Sequence, residues 1–225
     1  MRTCIVSFFM PNIHTATVEI QKLVVEKFNV SKLPHIRVQC PMPTVDNNGD
    51  GVDEFIKLND SRDDMGYDNI IILDIDCVPL SDKTLDYLAA QSASGILIGN
   101  AQRSNHIQNN QHVFAAPSLI AFSMETYNKI GRPSFRETIR GDMAEELTYR
   151  AEEHKIPIEL FMPLKFEAAP REAPNWPLAD GMPVYGIGTT YGNDSIGEMS
   201  YHNFQIRMPG NQKRFYDKCQ SLLNT

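Results

Sequence analysis

Apolar and polar positions follow two different periods along the first hundred residues of the chain. Short β-branched or aromatic runs, each typical of a strand, alternate with longer stretches in which apolar residues recur at helical spacing. The strand-like runs cover residues 3–9, 35–41, 69–75 and 95–100, and the helical stretches cover 15–29, 51–65 and 82–91. Strands that alternate with helices predict an α/β fold with a mostly parallel central sheet flanked by helices.

The second half of the chain is less regular. Apolar runs at 112–123 and 156–163 predict further strands, and 141–154 and 211–223 predict helices. Residues 167–195, rich in Pro and Gly, predict a long functional loop. An Asn-, Asp- and Gly-rich stretch at 46–55 predicts a turn. No repeat or domain boundary is visible, so we expect a single domain over residues 1–225.

Composition narrows the classes of function. The chain carries 28 Asp and Glu against 21 Lys and Arg, a net charge of −7, which does not favour general binding to nucleic acid or anionic lipid. Its four cysteines are scattered without a CxxC pair, as expected for buried thiols in a reducing compartment. No run approaches the roughly 20 apolar residues of a membrane span, and we expect a cytoplasmic protein.

The stretch NIIILDIDCVPL, residues 69–80, carries the clearest chemical signal. If the strand continues to residue 75, Asp74 and Asp76 point to the same face, because side chains alternate along a strand. Two carboxylates that close together require a cation or a proton between them. The pair therefore indicates a metal site or an acid–base site at the carboxyl end of a strand, where ligands bind in α/β sheets.

Two enzyme families share an apolar strand that ends in Asp-x-Asp. The stretch resembles the nucleophile strand of haloacid-dehalogenase-like Mg-dependent phosphatases, with GDMAEE at 141–146 as the late acidic motif. In that family the strand normally opens the chain and is followed by Gly-Thr, where this chain has Cys77-Val78. The order of the elements therefore disfavours a phosphatase.

LDIDCVPL also resembles the DxD motif of GT-A-fold glycosyltransferases, and the surrounding order agrees. Two strand–helix units precede it, and a helix follows the Pro-Leu step. PSLIAFSMETYNKIG resembles that family's acceptor-side strand, GDMAEELTYRAEEHKIPIELF its acid-bearing helix, and SYHNF its late histidine. The resemblance implies one GT-A-like, Rossmann-like domain, with residues 1–100 as the nucleotide-sugar-binding half and 101–225 as the acceptor and catalytic half.

The resemblance also implies a metal site and a base. Asp76 would ligate Mn²⁺ or Mg²⁺, Asp74 would hold the ribose or the metal through water, and His202 would complete the metal shell. Asp142 would deprotonate or position the acceptor hydroxyl. Glu145 and Glu146 compete with Asp142 for this role, and each of the three acids is also explained as a carboxylate that offsets the dipole at a helix start. The nucleotide is expected near Ser7 and Phe8, with Lys57 or Arg62.

The expected function is metal-dependent transfer of a hexose or pentose from a nucleotide-diphosphate donor, a UDP-sugar, to an unidentified hydroxyl acceptor. Alternatives are the phosphatase and a non-catalytic nucleotide-sugar-binding relative. A nucleotidyltransferase would need a glycine-rich basic loop after the first strand, and FFMPNIHTAT has no glycine.

The acceptor is a saccharide or another hydroxyl compound, and a modified nucleic-acid base is not excluded. A nucleic acid would require a basic face. The basic clusters to consider are Lys213 with Arg214, and Arg132, Arg136 and Arg140. If these cations are paired with acids, nucleic acid leaves the list of acceptors.

Overall fold

The computed structural model describes residues 1–40, 47–61, 66–104, 111–167 and 186–225. Its strands are β1 (Thr3–Phe9), β2 (His35–Gln39), β3 (Asn69–Leu73), β4 (Cys77–Pro79), β5 (Leu97–Arg103), β6 (Val113–Ser123), β7 (Ile158–Lys165), β8 (Ile187–Asn193) and β9 (Gly197–Asn203). Its helices are α1 (Thr15–Phe28), α2 (Asn47–Asp60), α3 (Thr84–Ala93), α4 (Met124–Lys129), α5 (Glu145–Glu153) and α6 (Asn211–Asn224). The predicted α/β class is confirmed.

The nine strands in these ranges form one sheet in the order β2-β1-β3-β6-β5-β7-β8-β9-β4. The pairs β1–β2, β1–β3 and β5–β7 are parallel. The other five pairs are antiparallel, so β4, β6 and β8 run against the remaining six strands. Most strands share one direction, as predicted, but few neighbours are parallel because β6 lies between β3 and β5. The assignment of a single domain stays a prediction.

Helices cover both faces of the sheet. Ile70 and Ile72 of β3 lie in one buried cluster with residues of α1, α2, α5 and α6, and Ile71 and Leu73 lie in a second cluster with residues of α3. Because alternate residues of a strand point to opposite faces, the two clusters occupy the two sides of the sheet. This double coverage explains the continuous apolar run of β3. None of the helices in the described ranges has both the length and the apolar character needed to cross a membrane.

Several element boundaries differ from the predictions; helix α5, for example, begins at Glu145 instead of residue 141. Strand β3 ends at Leu73 instead of residue 75, and Asp74–Asp76 belong to the turn that follows it. Helix α2 begins at Asn47 and so takes in most of the stretch that was predicted as a turn. Inside this helix Gly51 packs against Cys40, whose Sγ would lie 2.6 Å from an added Cβ. Strand β8 lies inside the predicted loop 167–195, of which residues 168–185 are outside the described ranges.

Candidate active site

A tight turn carries the two aspartates from β3 into β4. The backbone N–H of Asp74 donates to the Ser118 carbonyl of β6 (3.0 Å), and the N–H of Cys77 donates to the Asp74 carbonyl (2.9 Å). The Asp74 Oδ1 accepts from the N–H of Ile75 (2.8 Å). Aspartate favours such turns because its side chain bonds to nearby backbone. The local sequence therefore leads the chain away from β3 with both carboxylates at its carboxyl end.

Strand β9 brings the predicted histidine to this turn. β4 pairs antiparallel with β9, which places Cys77 opposite His202. The N–H of Asn203 donates to the Asp76 carbonyl (2.8 Å). As a result, His202 Nε2 lies 3.3 Å from Asp76 Oδ1. One ligand atom each from Asp74, Asp76 and His202 lies within 4.8 Å of the others. An Asp–Asp–His cluster is present.

The cluster carries unbalanced charge. Burial, followed by the charge of Asp76, raises the pKa of Asp74 to about 7. Burial also lowers the pKa of His202, but the carboxylates of Asp76 and Asp74 outweigh it, and the net pKa of His202 is above its ordinary value. Because both pKa values are raised, Asp74 and His202 keep their protons in the folded chain at pH values at which they would otherwise release them. A cation in their place would relieve the same repulsion.

The donor set fits a divalent cation. Asp76 Oδ1 and His202 Nδ1 are buried side-chain atoms without a well-formed hydrogen bond among the described residues; Asp76 Oδ1 has only the ion-pair contact with His202 Nε2 at 3.3 Å. Buried polar atoms are nearly always satisfied, so orphaned atoms in a cluster indicate a ligand. Carboxylate oxygens suit both Mg²⁺ and Mn²⁺, and an added imidazole nitrogen is accepted more readily by a transition metal such as Mn²⁺. Asp74, Asp76 and His202 are therefore the residues able to hold the ion.

The cluster lies in a cleft of about 480 Å³. Phe8, at the end of β1, lines this cleft, and Asp142, just before α5, lines it as well. Phe8 itself is largely buried, whereas its neighbour Phe9 is more exposed to the cleft. Five of the residues named from the sequence thus share one cleft: Phe8, Asp74, Asp76, Asp142 and His202.

Two of the predicted nucleotide-binding residues do not line the cleft. Ser7 is fully buried, with its Oγ 3.0 Å from His35 Nε2 and accepting from Gln21 Nε2 (3.0 Å). Lys57 lies on an exposed face of α2, where it is 3.8 Å from Glu54. Arg62 lies outside the described residues.

The competing acids are also separated from the cleft. Glu145 is completely buried, with Oε1 2.6 Å from His112 Nδ1. Glu146 is bound by the guanidinium of Arg140. Neither lines the cleft, whereas Asp142 does. The geometry therefore favours Asp142 among the three predicted acids.

The sequence did not single out Arg207 or Gln102, which also line the cleft. Arg207 is exposed, and its charge partly offsets the burial and the Asp76 charge that raise the pKa of Asp74. In the part of the chain that the structure describes, no carboxylate forms a salt bridge with Arg207. Arg207 lies two residues after Gln205, whose φ of 62° is in the left-handed region, and no spacing rule in the sequence signals this placement.

The basic clusters are neutralised by acids. Arg132 binds Asp60, Arg136 binds Asp50, and Arg140 binds Glu146 and Glu153. In helix α6, Lys213 lies 2.5 Å from Asp217, and Arg214 lies 2.8 Å from Glu167. Each of the cations considered for a basic face is therefore paired. These five cations therefore do not form the unpaired basic face that a nucleic-acid acceptor would require.

Solved structures similar to this chain include glycosyltransferases. The catalytic domain of Drosophila β1,4-galactosyltransferase 7 complexed with xylobiose is 12% identical, with a TM-score of 0.48 over 71% of this chain and 65% of that one. A mutant of the same enzyme complexed with manganese, UDP-Gal and xylobiose is 10% identical, with a TM-score of 0.47 and the same coverage. An active-site mutant of LgtC is 10% identical, with a TM-score of 0.47 over 98% of this chain and 96% of that one.

No protein-family model and no curated protein matches the sequence. The chain covers less than two thirds of the length of the Drosophila catalytic domain. Because the identities are 10–12% and the TM-scores lie below 0.5, this likeness assigns no family, activity, donor or acceptor to the chain.

Proposed function

We propose that the protein is a metal-dependent glycosyltransferase that moves a sugar from a nucleotide-diphosphate donor, a UDP-sugar, to the hydroxyl of a saccharide. The observation that carries this proposal is the shared cleft, in which the Asp74–Asp76–His202 cluster and a further carboxylate, Asp142, line one cavity. Transfer needs a site for the leaving diphosphate and a separate group for the acceptor proton.

The proposal that the cleft binds a nucleotide-diphosphate donor rests on the size of the cleft and on the charged residues that line it. A volume of about 480 Å³ is in the range of sites for small ligands and cofactors. Asp76 and His202 would hold Mn²⁺ or Mg²⁺, with Asp74 as a further ligand or as a partner of the ribose. The ion would neutralise charge on the diphosphate leaving group. Arg207, an exposed cation that lines the same cleft, is suited to pair with a diphosphate oxygen.

The proposal that a saccharide hydroxyl is the acceptor rests on Asp142 and the residues around it. Asp142 lines the cleft beside Met143, and its Oδ1 accepts from the Met143 N–H (2.8 Å). A carboxylate in this position would accept the proton of an acceptor hydroxyl. Phe204, which is partly exposed, also lines the cleft, and an aromatic ring is suited to pack against the apolar face of a sugar. Since the basic clusters are paired with acids, a neutral saccharide is the acceptor class that these residues favour.

The experiment combines ligand binding with two variants. Thermal unfolding is measured with UDP or UDP-sugars, in Mn²⁺ and in EDTA, for the unchanged protein, Asp76→Ala and Asp142→Asn. A ligand at a hundredfold excess over its dissociation constant stabilises the fold by about 2.7 kcal/mol. We expect a Mn²⁺-dependent shift in the unchanged protein and in Asp142→Asn, and none in Asp76→Ala. Sugar transfer should be lost in Asp76→Ala and slowed by about 10²- to 10⁴-fold in Asp142→Asn, which leaves a measurable rate.

Asp82→Asn is the matched control, because Asp82 is an exposed aspartate that does not line the cleft. It should bind and turn over donor like the unchanged protein. Normal metal-dependent nucleotide binding by Asp76→Ala would contradict the proposed role of the cluster. A shift with a phosphate mimic and Mg²⁺, and none with any nucleotide, would instead indicate a phosphatase. Donor binding without transfer to any saccharide would indicate a binding protein.

A further inference from the structure

Glu145 is a fully buried carboxylate that does not line the cleft, and both of its oxygens are engaged. Its Oε1 lies 2.6 Å from His112 Nδ1. Its Oε2 accepts the backbone N–H of Asp142 at 2.7 Å. A buried carboxylate is costly unless it is paired and hydrogen-bonded, and here it is both. The contacts of Glu145 thus connect a histidine to the backbone of the acid that lines the cleft.

The turn that presents Asp142 needs such a connection. Ala144 has a φ of 66°, in the left-handed region, where a residue with a Cβ is strained by roughly 1–3 kcal/mol. The N–H of Glu145 donates to the Asp142 carbonyl (3.0 Å), which closes the turn. A Cβ added at Gly141 would lie 3.1 Å from three carbon atoms of the Glu145 side chain. The side chain of Glu145 therefore packs directly against the backbone of 141–142.

His112 provides the fixed end of the connection. It immediately precedes β6, the strand that contributes Phe114 and Ser118 to the cleft. Its ring stacks on Tyr149 of α5 with centroids 3.9 Å apart and an interplanar angle of 12°. Its Nε2 lies 3.5 Å from Glu152. The imidazole is held from both sides, so Glu145 ties the Asp142 turn to a wall of the cleft.

We propose that Glu145 is a positioning residue whose carboxylate, anchored by His112, holds Asp142 at its place in the cleft. This inference rests on the proposed function, in which Asp142 acts on the acceptor hydroxyl. Since Glu145 acts through Asp142 and touches neither the metal cluster nor the donor side of the cleft, its loss should affect turnover and leave metal and donor binding unchanged. A displacement of a reacting group by about 1 Å is enough to cost a hundredfold in rate.

The experiment measures kcat, donor KM and Mn²⁺ affinity in Glu145→Gln, in the unchanged protein and in Glu153→Gln. The glutamine keeps the size of the side chain but cannot accept with both oxygens. Glu153 is the matched control, because it lies on the same helix and binds Arg140 and Arg150 at the surface. We expect kcat to fall about ten- to a hundredfold in Glu145→Gln, with donor KM and Mn²⁺ affinity within about twofold, and no change in Glu153→Gln.

A second arm separates positioning from general loss of structure. Glu145→Gln is repeated in the Asp142→Asn background, where it should cause no further fall in rate because there is no carboxylate left to position. The same fall in both backgrounds would overturn the inference, and so would a parallel loss of Mn²⁺ affinity. If Glu145→Gln does not fold, His112→Ala takes its place, since it removes the anchor and keeps the carboxylate, and the same criteria apply.

The two proposals fail in different ways. If the unchanged protein transfers sugar and Glu145→Gln does so equally well, the inference is wrong and the proposed function stands. If the unchanged protein binds Mn²⁺ and nucleotide but transfers no sugar to any acceptor, the role of Asp142 is wrong, and the positioning role of Glu145 falls with it.

Discussion

Replacing Asp74 by asparagine should stabilise the metal-free protein at about pH 8 and remove its response to manganese. The asparagine keeps an Oδ1 to accept from the N–H of Ile75, which bonds to Asp74 Oδ1 at 2.8 Å. It cannot ionise, so the repulsion from Asp76 and the cost of burying a second charge are lost. The same change removes a carboxylate from the cluster of candidate metal ligands.

The magnitude follows from the pKa of Asp74, which burial and the charge of Asp76 raise from 3.8 to about 7. Between these values the folded protein keeps a proton that the unfolded chain has released, so the free energy of unfolding falls as the pH rises through this window. A tenfold change in acidity is worth about 1.4 kcal/mol, which gives about 4 kcal/mol. Because the side chain is partly exposed, solvent screening reduces this to about 2 kcal/mol.

The assay is thermal unfolding at about pH 5 and pH 8, in EDTA and in Mn²⁺, with Asp82→Asn as the exposed control. A gain of about 2 kcal/mol raises the Tm of a chain of this size by about 4–8 °C. The advantage of Asp74→Asn should be present in EDTA at pH 8 and shrink towards pH 5, where Asp74 is protonated. Mn²⁺ should stabilise the unchanged protein, and more so at pH 8, because binding displaces the proton. The reasoning is refuted if Asp74→Asn and the unchanged protein have the same Tm in EDTA at pH 8 as well as at pH 5. It is also refuted if Mn²⁺ stabilises the two proteins equally.

Three further substitutions test the turn that carries Asp74, the cation that lines the cleft and the close pairing of β5 with β6. Gln21→Leu removes a buried amide whose Nε2 donates to the Asp74 carbonyl oxygen at 3.3 Å. We expect the free energy of unfolding in urea to fall by about 1–3 kcal/mol and Mn²⁺ to bind more weakly. Unchanged Mn²⁺ affinity would show that Gln21 does not support the turn. Arg207→Ala should weaken binding of UDP about tenfold, as measured calorimetrically, and leave binding of Mn²⁺ alone unaffected; equal UDP affinity would separate this cation from the diphosphate. Gly99→Ala should cost about 1–3 kcal/mol of stability, because its Cβ would lie 2.5 Å from the Leu119 carbonyl oxygen, and a neutral result would mean that β5 and β6 can move apart there.

Helices that bury one face were predictable because their signals are local. Helix α1 was predicted over residues 15–29 and spans Thr15–Phe28, and α6 was predicted over 211–223 and spans Asn211–Asn224. Strand β8 was missed because its glycines at 188 and 192 resemble a loop. A Cβ at 192 would lie 2.0 Å from the Gly197 carbonyl oxygen, so glycine is required by the close approach of β9. That requirement arises from pairing between strands and is not visible in the sequence of β8 alone.

The residues of the candidate site also divide into those with a local sequence signal and those whose place depends on pairing between distant strands. Asp74 and Asp76 could be found from the sequence, since two acids that end an apolar run are unusual, although they lie in a turn and not on the strand itself. His202 was found from the order of motifs, and its closeness to Asp76 depends on the pairing of β4 with β9. Lys57 was placed by analogy alone, and its helix directs it to solvent beside Glu54. Arg207 could not be found, because its place in the cleft depends on a backbone turn at 205–206.

The pairing of β4 with β9 also sets an order of events during synthesis of the protein. A ribosome-bound chain that has emerged as far as β8 contains both aspartates of the 74–76 turn but lacks the histidine and the strand that closes the sheet beside them. Contacts between such distant segments form late, because the ends of a long loop must first be brought together. Until β9 docks, the two carboxylates repel each other without a third ligand. Binding of a divalent cation by all three side chains would therefore report that β9 has docked on β4.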